Sequence, residues 1–92
     1  MSERAFDIVD DGKPKSVKYD GDMTIENFIK NYLKSNANYE SLDPSIFSFY
    51  LGTKMLNSPR FLQKKLKDVI QNGVSVTLVR KYEYNYSNIS IK

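Results

Sequence analysis

The sequence predicts an α+β domain, a mixed sheet of four to five strands packed on one helix. Three observations predict it. Residues 5–9 and 15–19 alternate apolar and polar side chains on either side of an Asp-Asp-Gly turn. Residues 24–36 place apolar side chains three and four apart, the spacing of one helical stripe. Residues 47–51 and 74–79 then alternate again. A lone amphipathic helix must bury its stripe, and one face of a sheet is the simplest cover.

The first strand is marked by Phe6 and Ile8, two residues apart and inward. Asp10-Asp11-Gly12 supplies a turn with a residue free to take a positive φ. The second strand carries Val17 and Tyr19 on one face, and Pro14, which has no N–H, marks it as an edge strand. Asp20-Gly21-Asp22 breaks the chain, and Thr24 stands where a helix N-cap belongs. Ile25, Phe28, Ile29, Tyr32 and Leu33 form the apolar stripe; Glu26, Asn27, Lys30, Asn31 and Lys34 face water. Glu26 and Lys30 make a favourable i,i+4 pair, and Lys34 suits the last turn. The helix stops in Asn36-Ala37-Asn38, where side chains compete for the backbone.

Leu42-Asp43-Pro44 turns the chain into a third strand with Phe47, Phe49 and Leu51 inward and Ser48 and Tyr50 outward. A tight turn at Gly52-Thr53-Lys54 leads to a very short strand at Met55-Leu56. Between Phe61 and Val69 a short helical turn is expected to bury Phe61, Leu62 and Leu66. Asn72-Gly73 is a turn, and the last strand points Val74, Val76 and Leu78 inward. Its clean alternation and lack of proline place it mid-sheet, parallel to the first strand. The order is β-β-α-β-(β)-short helix-β, the β-grasp arrangement. Residues 1–81 are assigned to this domain and residues 82–92 to a polar, tyrosine-rich tail that frays or continues into another domain.

Composition removes whole classes of chemistry. The 92-residue chain has no cysteine and no histidine, so thiolate nucleophiles, disulfides, imidazole acid–base pairs and Cys- or His-ligated metals are excluded. No convincing carboxylate pair replaces them. The start of a calcium loop at Asp7 and Asp10-Asp11-Gly12 fails, because Lys18 stands where a bidentate Glu is required. No enzyme activity, cofactor or metal is expected. No apolar run approaches the ~20 residues of a membrane span, and Met1-Ser2-Glu3-Arg4 lacks the apolar stretch of a secretory signal. A cytoplasmic or nuclear chain is expected, for which the acceptor patterns at Asn85 and Asn88 carry no glycan.

The net charge of +3 is modest, and Asp7, Asp10 and Asp11 intersperse with Lys13, Lys15 and Lys18. Nucleic-acid binders concentrate their basic residues, so an acidic protein is the better match. The densest basic run, Lys64-Lys65-x-Lys67, reads as the solvated face of a helical segment.

Three stretches resemble ubiquitin-like proteins. Thr24-Ile25-Glu26-Asn27 is similar to the start of that family's helix. Leu51-Gly52-Thr53-Lys54-Met55-Leu56 is similar to its turn after the third strand, with one residue more here. Leu66-x-Asp68-Val69-Ile70, followed by Asn72-Gly73 and the last strand, resembles its closing stretch, with one residue fewer before Ile70. The resemblance covers roughly residues 5–80. It implies a β-grasp fold and a role in protein–protein contact. Conjugated modifiers of this family end in Gly-Gly, whereas Arg80 is followed here by Lys81-Tyr82-Glu83-Tyr84. A modifier role is therefore expected only if the native chain extends to such an end. The leading expectation is a monomeric, non-enzymatic adaptor module at the N-terminus of a larger protein.

The resemblance also implies where partners bind. Ubiquitin-like domains use the exposed face of the third and last strands, where alternation puts Tyr50, Thr77 and Val79, with Lys54 at the rim. Scattered apolar residues are also ordinary on any surface. Ras-association domains and the first domains of talin-like FERM proteins share the fold. They use a basic second-strand edge to bind an acidic small GTPase. The corresponding residues are Lys13, Lys15 and Lys18, with Lys30 and Lys34 of the helix nearby. Lysines on an edge strand also simply discourage aggregation. A ubiquitin-fold receptor and a small GTPase are the two partner classes these surfaces imply.

Overall fold

A computed structural model of the chain describes residues 3–81. The tail and its tyrosines, Asn85 and Asn88 lie outside the described residues. Five strands form one sheet: β1 (Glu3–Asp10), β2 (Lys13–Asp20), β3 (Phe47–Leu51), β4 (Lys54–Met55) and β5 (Ser75–Arg80), in the order β2-β1-β5-β3-β4. The two terminal strands are parallel neighbours at its centre, with Ile8 beside Val76 and Asp10 beside Leu78. Every other pairing is antiparallel. One helix, α1 (Ile25–Ser35), lies across the concave face. This is the α+β, β-grasp arrangement that the order of elements predicts.

Local chemistry sets each element. The β1–β2 hairpin closes through two residues with positive φ, Asp11 (56°) and Gly12 (77°), whose twist matches the flanking strands. The Thr24 hydroxyl accepts the Asn27 N–H at 3.1 Å, capping α1. At the far end Asn36 closes the helix, donating its N–H to Leu33 O, and its side chain accepts the Asn38 N–H. Asp43 caps a 3₁₀ turn at Pro44–Ile46 by accepting from Ser45 N–H. Pro44 sits at the first turn, where its missing N–H costs nothing.

The stretch from residue 54 to residue 69 differs from the sequence reading. The two-residue strand β4 is Lys54–Met55, not Met55-Leu56, because Leu56 turns fully into the core while donating its N–H to Phe49 O at 2.7 Å. The stretch expected to hold one helical turn holds two, α2 (Pro59–Leu62) and α3 (Leu66–Val69). Of its three expected core residues only Leu66 is fully buried; Phe61 and Leu62 are half-buried, with the Phe61 ring against the Arg60 guanidinium.

The core is a single cluster in which Phe28 is the hub. Its ring meets Phe6, Tyr19 and Phe49 edge-on, with centroids 5.0–5.8 Å away. Edge-to-face pairs of this kind add roughly 0.5–1.5 kcal/mol each beyond burial. Ile8, Ile25, Leu56, Leu66, Ile70 and Val76 are fully buried around it. Tyr39, in the irregular segment after α1, is also buried. It donates its hydroxyl proton to the Asp10 carboxylate, packs its ring at a tilt with its centroid 4.8 Å from that of Phe47, and carries the Arg80 guanidinium 5.2 Å from its ring.

The basic run Lys64-Lys65-x-Lys67 has a structural use. Its backbone pairs with the segment leading into α1: Ile25 N–H bonds Lys64 O, and Leu66 and Lys67 N–H bond Met23 and Gly21 O. Lys67 and Lys65 then converge on Asp22, at 2.9 and 4.0 Å. The ammonium of Lys67 holds the Asp22 carboxyl below the usual carboxylate range.

Candidate functional site

The face of the sheet away from α1 is uncovered by any described element. The registers Val9↔Pro14, Val9↔Thr77, Tyr50↔Thr77 and Tyr50↔Met55 align one residue from each strand. The resulting row runs Pro14, Val9, Thr77, Tyr50, Met55 across the whole sheet. Val79, opposite Ser48, stands on the same face next to the row. Only three large hydrophobics are strongly exposed among the described residues: Leu42 (40 %), Met55 (37 %) and Val79 (46 %). Two of the three belong to this face. On the other side of the row the face turns polar, with Ser75, Asp7 and Ser16; the Ser16 hydroxyl donates to Asp7 at 3.0 Å. Beyond Val9, Thr77 and Val79 the surface dips into a shallow depression of about 300 Å³ against the hairpin tip.

Tyr50, Thr77 and Val79 thus share a face, as alternation predicts. Lys54 does not join them. It pairs with Leu51, whose side chain packs against the core, so it emerges on the helix side of the sheet's end. Met55 takes the place beside Tyr50. Lys54, expected in the turn at the rim, is instead the first residue of β4, opposite Leu51.

The five lysines of the second candidate surface are divided by the fold. Lys13 and Lys15 share the helix-side face of β2 with Val17 and Tyr19, and Lys15 Nζ lies 6.0 Å from the Tyr32 ring centre. Lys18, paired with Ala5, points to the open face. Lys30 and Lys34 are on the opposite flank of α1, beside Ile29 and Leu33 and across from Leu42. The expectation that they accompany the strand lysines is corrected: Phe28 and Tyr32 turn toward β2, which rotates Lys30 and Lys34 away from it.

The two sheet edges differ. On the β3 side the edge is sealed: the Asn57 side chain accepts the Phe49 N–H at 2.7 Å and donates to Phe47 O at 3.3 Å. The β2 edge has a neighbour on one side only. The two-residue hairpin makes Asp10↔Lys13 the closing hydrogen-bonded pair, so alternation turns the Ser16 and Lys18 backbone groups outward. Pro14 falls on the same outward register, where its lack of an N–H breaks no bond within the sheet.

Among the described residues no group of three or more Asp or Glu side chains is placed to hold a metal ion. No helix among them is long and apolar enough to cross a membrane.

No family model and no curated protein sequence matches this chain. Solved structures do. The ubiquitin-like domain of Arabidopsis thaliana protein At2g32350 superposes with a TM-score of 0.66 at 12 % identity, over 89 % of this chain and 81 % of that one. The ubiquitin of Caldiarchaeum subterraneum gives 0.65 at 13 % identity, over 88 % and 96 %. The N-terminal ubiquitin-like domain of the 4931431F19Rik protein gives 0.62 at 14 % identity, over 87 % and 76 %. At such identities the likeness is one of fold, and the fold is ubiquitin-like.

Proposed function

We propose that this ubiquitin-like β-grasp chain is a non-enzymatic adaptor module that binds protein partners on the open face of its sheet. The reading is carried by the row Pro14, Val9, Thr77, Tyr50, Met55 with Val79 beside it, a mostly apolar strip joined through Thr77 on the one sheet face that nothing described covers. Tyr50 is half-buried at the middle of the row, and tyrosine is the kind of residue that anchors an interface. The strip is narrow and bordered by polar residues. An interface of that size falls below ~1,200 Å², in the class of weak, transient contacts. A ubiquitin-fold receptor offering a small apolar surface is the partner class.

Calorimetric titration of the chain with a panel of ubiquitin-receptor domains tests this. Val79→Asp places a charge in the strip and is expected to weaken binding at least about tenfold, or ~1.4 kcal/mol. Tyr50→Ala weakens it too. Unchanged affinity in both variants, with the fold intact, contradicts the reading.

One observation favours a second reading. The outward Ser16 and Lys18 backbone groups, flanked by Lys13, Lys15 and Lys18, suit the addition of an acidic edge strand such as that of a small GTPase. Such binding rests on exposed charge and weakens steeply with salt, whereas binding on the apolar strip changes little.

A further inference from the structure

Residues 44–67 carry Lys54, Arg60, Lys64, Lys65 and Lys67 but no Asp or Glu, and β5 has no acid either. Elsewhere cations and acids are mixed: Asp7, Asp10 and Asp11 intersperse with the lysines of β2, and Glu26 pairs with Lys30. Lys65 and Lys67 are engaged by Asp22. Lys54, Arg60 and Lys64 have no ion pair among the described residues. Cations grouped without acids raise the local potential and draw anionic groups.

Two of these three line one groove. Thr53, Lys54 and Met55 form one side, and Ser58, Arg60 and Phe61, at the start of α2, form the other. Its volume is about 400 Å³, within the ~300–1,000 Å³ range of ligand clefts. No acid lines it. Glu26 reaches the end of α2 through Gln63, and its carboxylate is held there and by Lys30. Donors are available in the groove. The Arg60 guanidinium lies 5.6 Å from the centre of the Phe61 ring, a contact that leaves its N–H groups without an acceptor. The Ser58 hydroxyl accepts the Arg60 backbone N–H, which leaves its own proton to donate.

The walls are held in place without help from a ligand. Leu56 N–H bonds Phe49 O, Ser58 N–H bonds Met55 O, and Phe61 N–H bonds Ser58 O. A cleft formed in advance loses little entropy when it is filled.

We infer that this groove docks an acidic segment of another protein, one that carries at least two neighbouring Asp or Glu side chains. Their carboxylates accept from the Arg60 guanidinium, whose paired N–H groups match a carboxylate, and from the Lys54 ammonium. Met55 and Phe61 receive the apolar parts of the segment. The groove shares Met55 with the open-face row and none of its other members, so it goes beyond the open-face reading and does not depend on it.

Selection of a phage-displayed random 12-residue peptide library on the 92-residue chain tests the inference. Three variants sort the peptides. Lys54→Glu combined with Arg60→Glu reverses the groove's charge. Lys13→Glu combined with Lys18→Glu changes the net charge equally at a distant surface. Val79→Ser trims the open-face strip without adding charge. Peptides that bind the groove are expected to weaken at least about tenfold on the first variant, to survive the other two, and to share two or more Asp or Glu residues. Their binding falls as salt rises. Four results overturn the inference: no peptide that depends on Lys54 and Arg60, a dependent set without acidic residues, equal losses on the Lys13 and Lys18 variant, or peptides that all vanish on Val79→Ser. The last outcome leaves the open-face reading standing, so the two fail separately. Lys54 and Arg60 are both exposed, so their reversal leaves the fold intact. If the double variant does not unfold cooperatively, Lys54→Glu alone carries the test.

Discussion

Tyr39 shows how one side chain links distant parts of so small a domain. Burial, its hydrogen bond to Asp10 and the Asp10 charge push its phenol up to about 12, with Arg80 opposing. The folded value lies above the ordinary value near 10, so the un-ionised phenol is favoured by folding. That contribution is fully present below pH ~10 and is lost as pH rises through ~12. Tyr39→Phe removes the bond and leaves Asp10 with one donor fewer. It is expected to cost about 1–3 kcal/mol in urea unfolding at pH 7. The difference between the two proteins should shrink above pH 10; a constant difference up to pH 12 contradicts the assigned role. Nothing in the sequence marks Tyr39 as buried, because it follows the helix in a stretch with no period to read.

Among the elements, the strands were the most legible. A period of two fixes which face each residue takes, and Phe6, Ile8, Phe47, Phe49, Val76 and Leu78 all point inward as the pattern requires. The helix was legible for the same reason at 3.6 residues per turn, down to its Thr24 cap. What could not be read were features set by long-range placement. The strand β4 is two residues long, too short for its own pattern, so nothing in the sequence shows that Met55 rather than Lys54 stands beside Tyr50. The flank of α1 that carries Lys30 and Lys34 depends on how Phe28 and Tyr32 dock against β2, which spacing alone does not reveal. The closure of the β3 edge by Asn57 was equally hidden, since a side chain there replaces a strand. Asn57→Ala strands the Phe49 N–H and is expected to destabilise the protein by about 1–3 kcal/mol. Amide exchange at Phe49 should accelerate while that at Val76 follows only global stability; unchanged protection at Phe49 contradicts the assignment.

At the scale of the whole molecule, the two central parallel strands and the single helix divide the surface into separate fields. The open face carries the apolar strip, the β2 edge carries outward backbone groups among lysines, the far flank of α1 carries Lys30 and Lys34, and the β4 end carries the acid-free groove. A basic surface that the sequence suggested as one is in fact three, which weakens any reading that needs all five lysines together. The open face is therefore the field on which the functional account depends. Its most direct test is chemical-shift mapping of the ¹⁵N-labelled chain, titrated in turn with a ubiquitin-receptor domain and a GTP-loaded small GTPase. The account predicts shifts centred on Val9, Tyr50, Met55, Thr77 and Val79 with the receptor domain. Shifts confined to residues 13–19, or none on the open face with either protein, would contradict it.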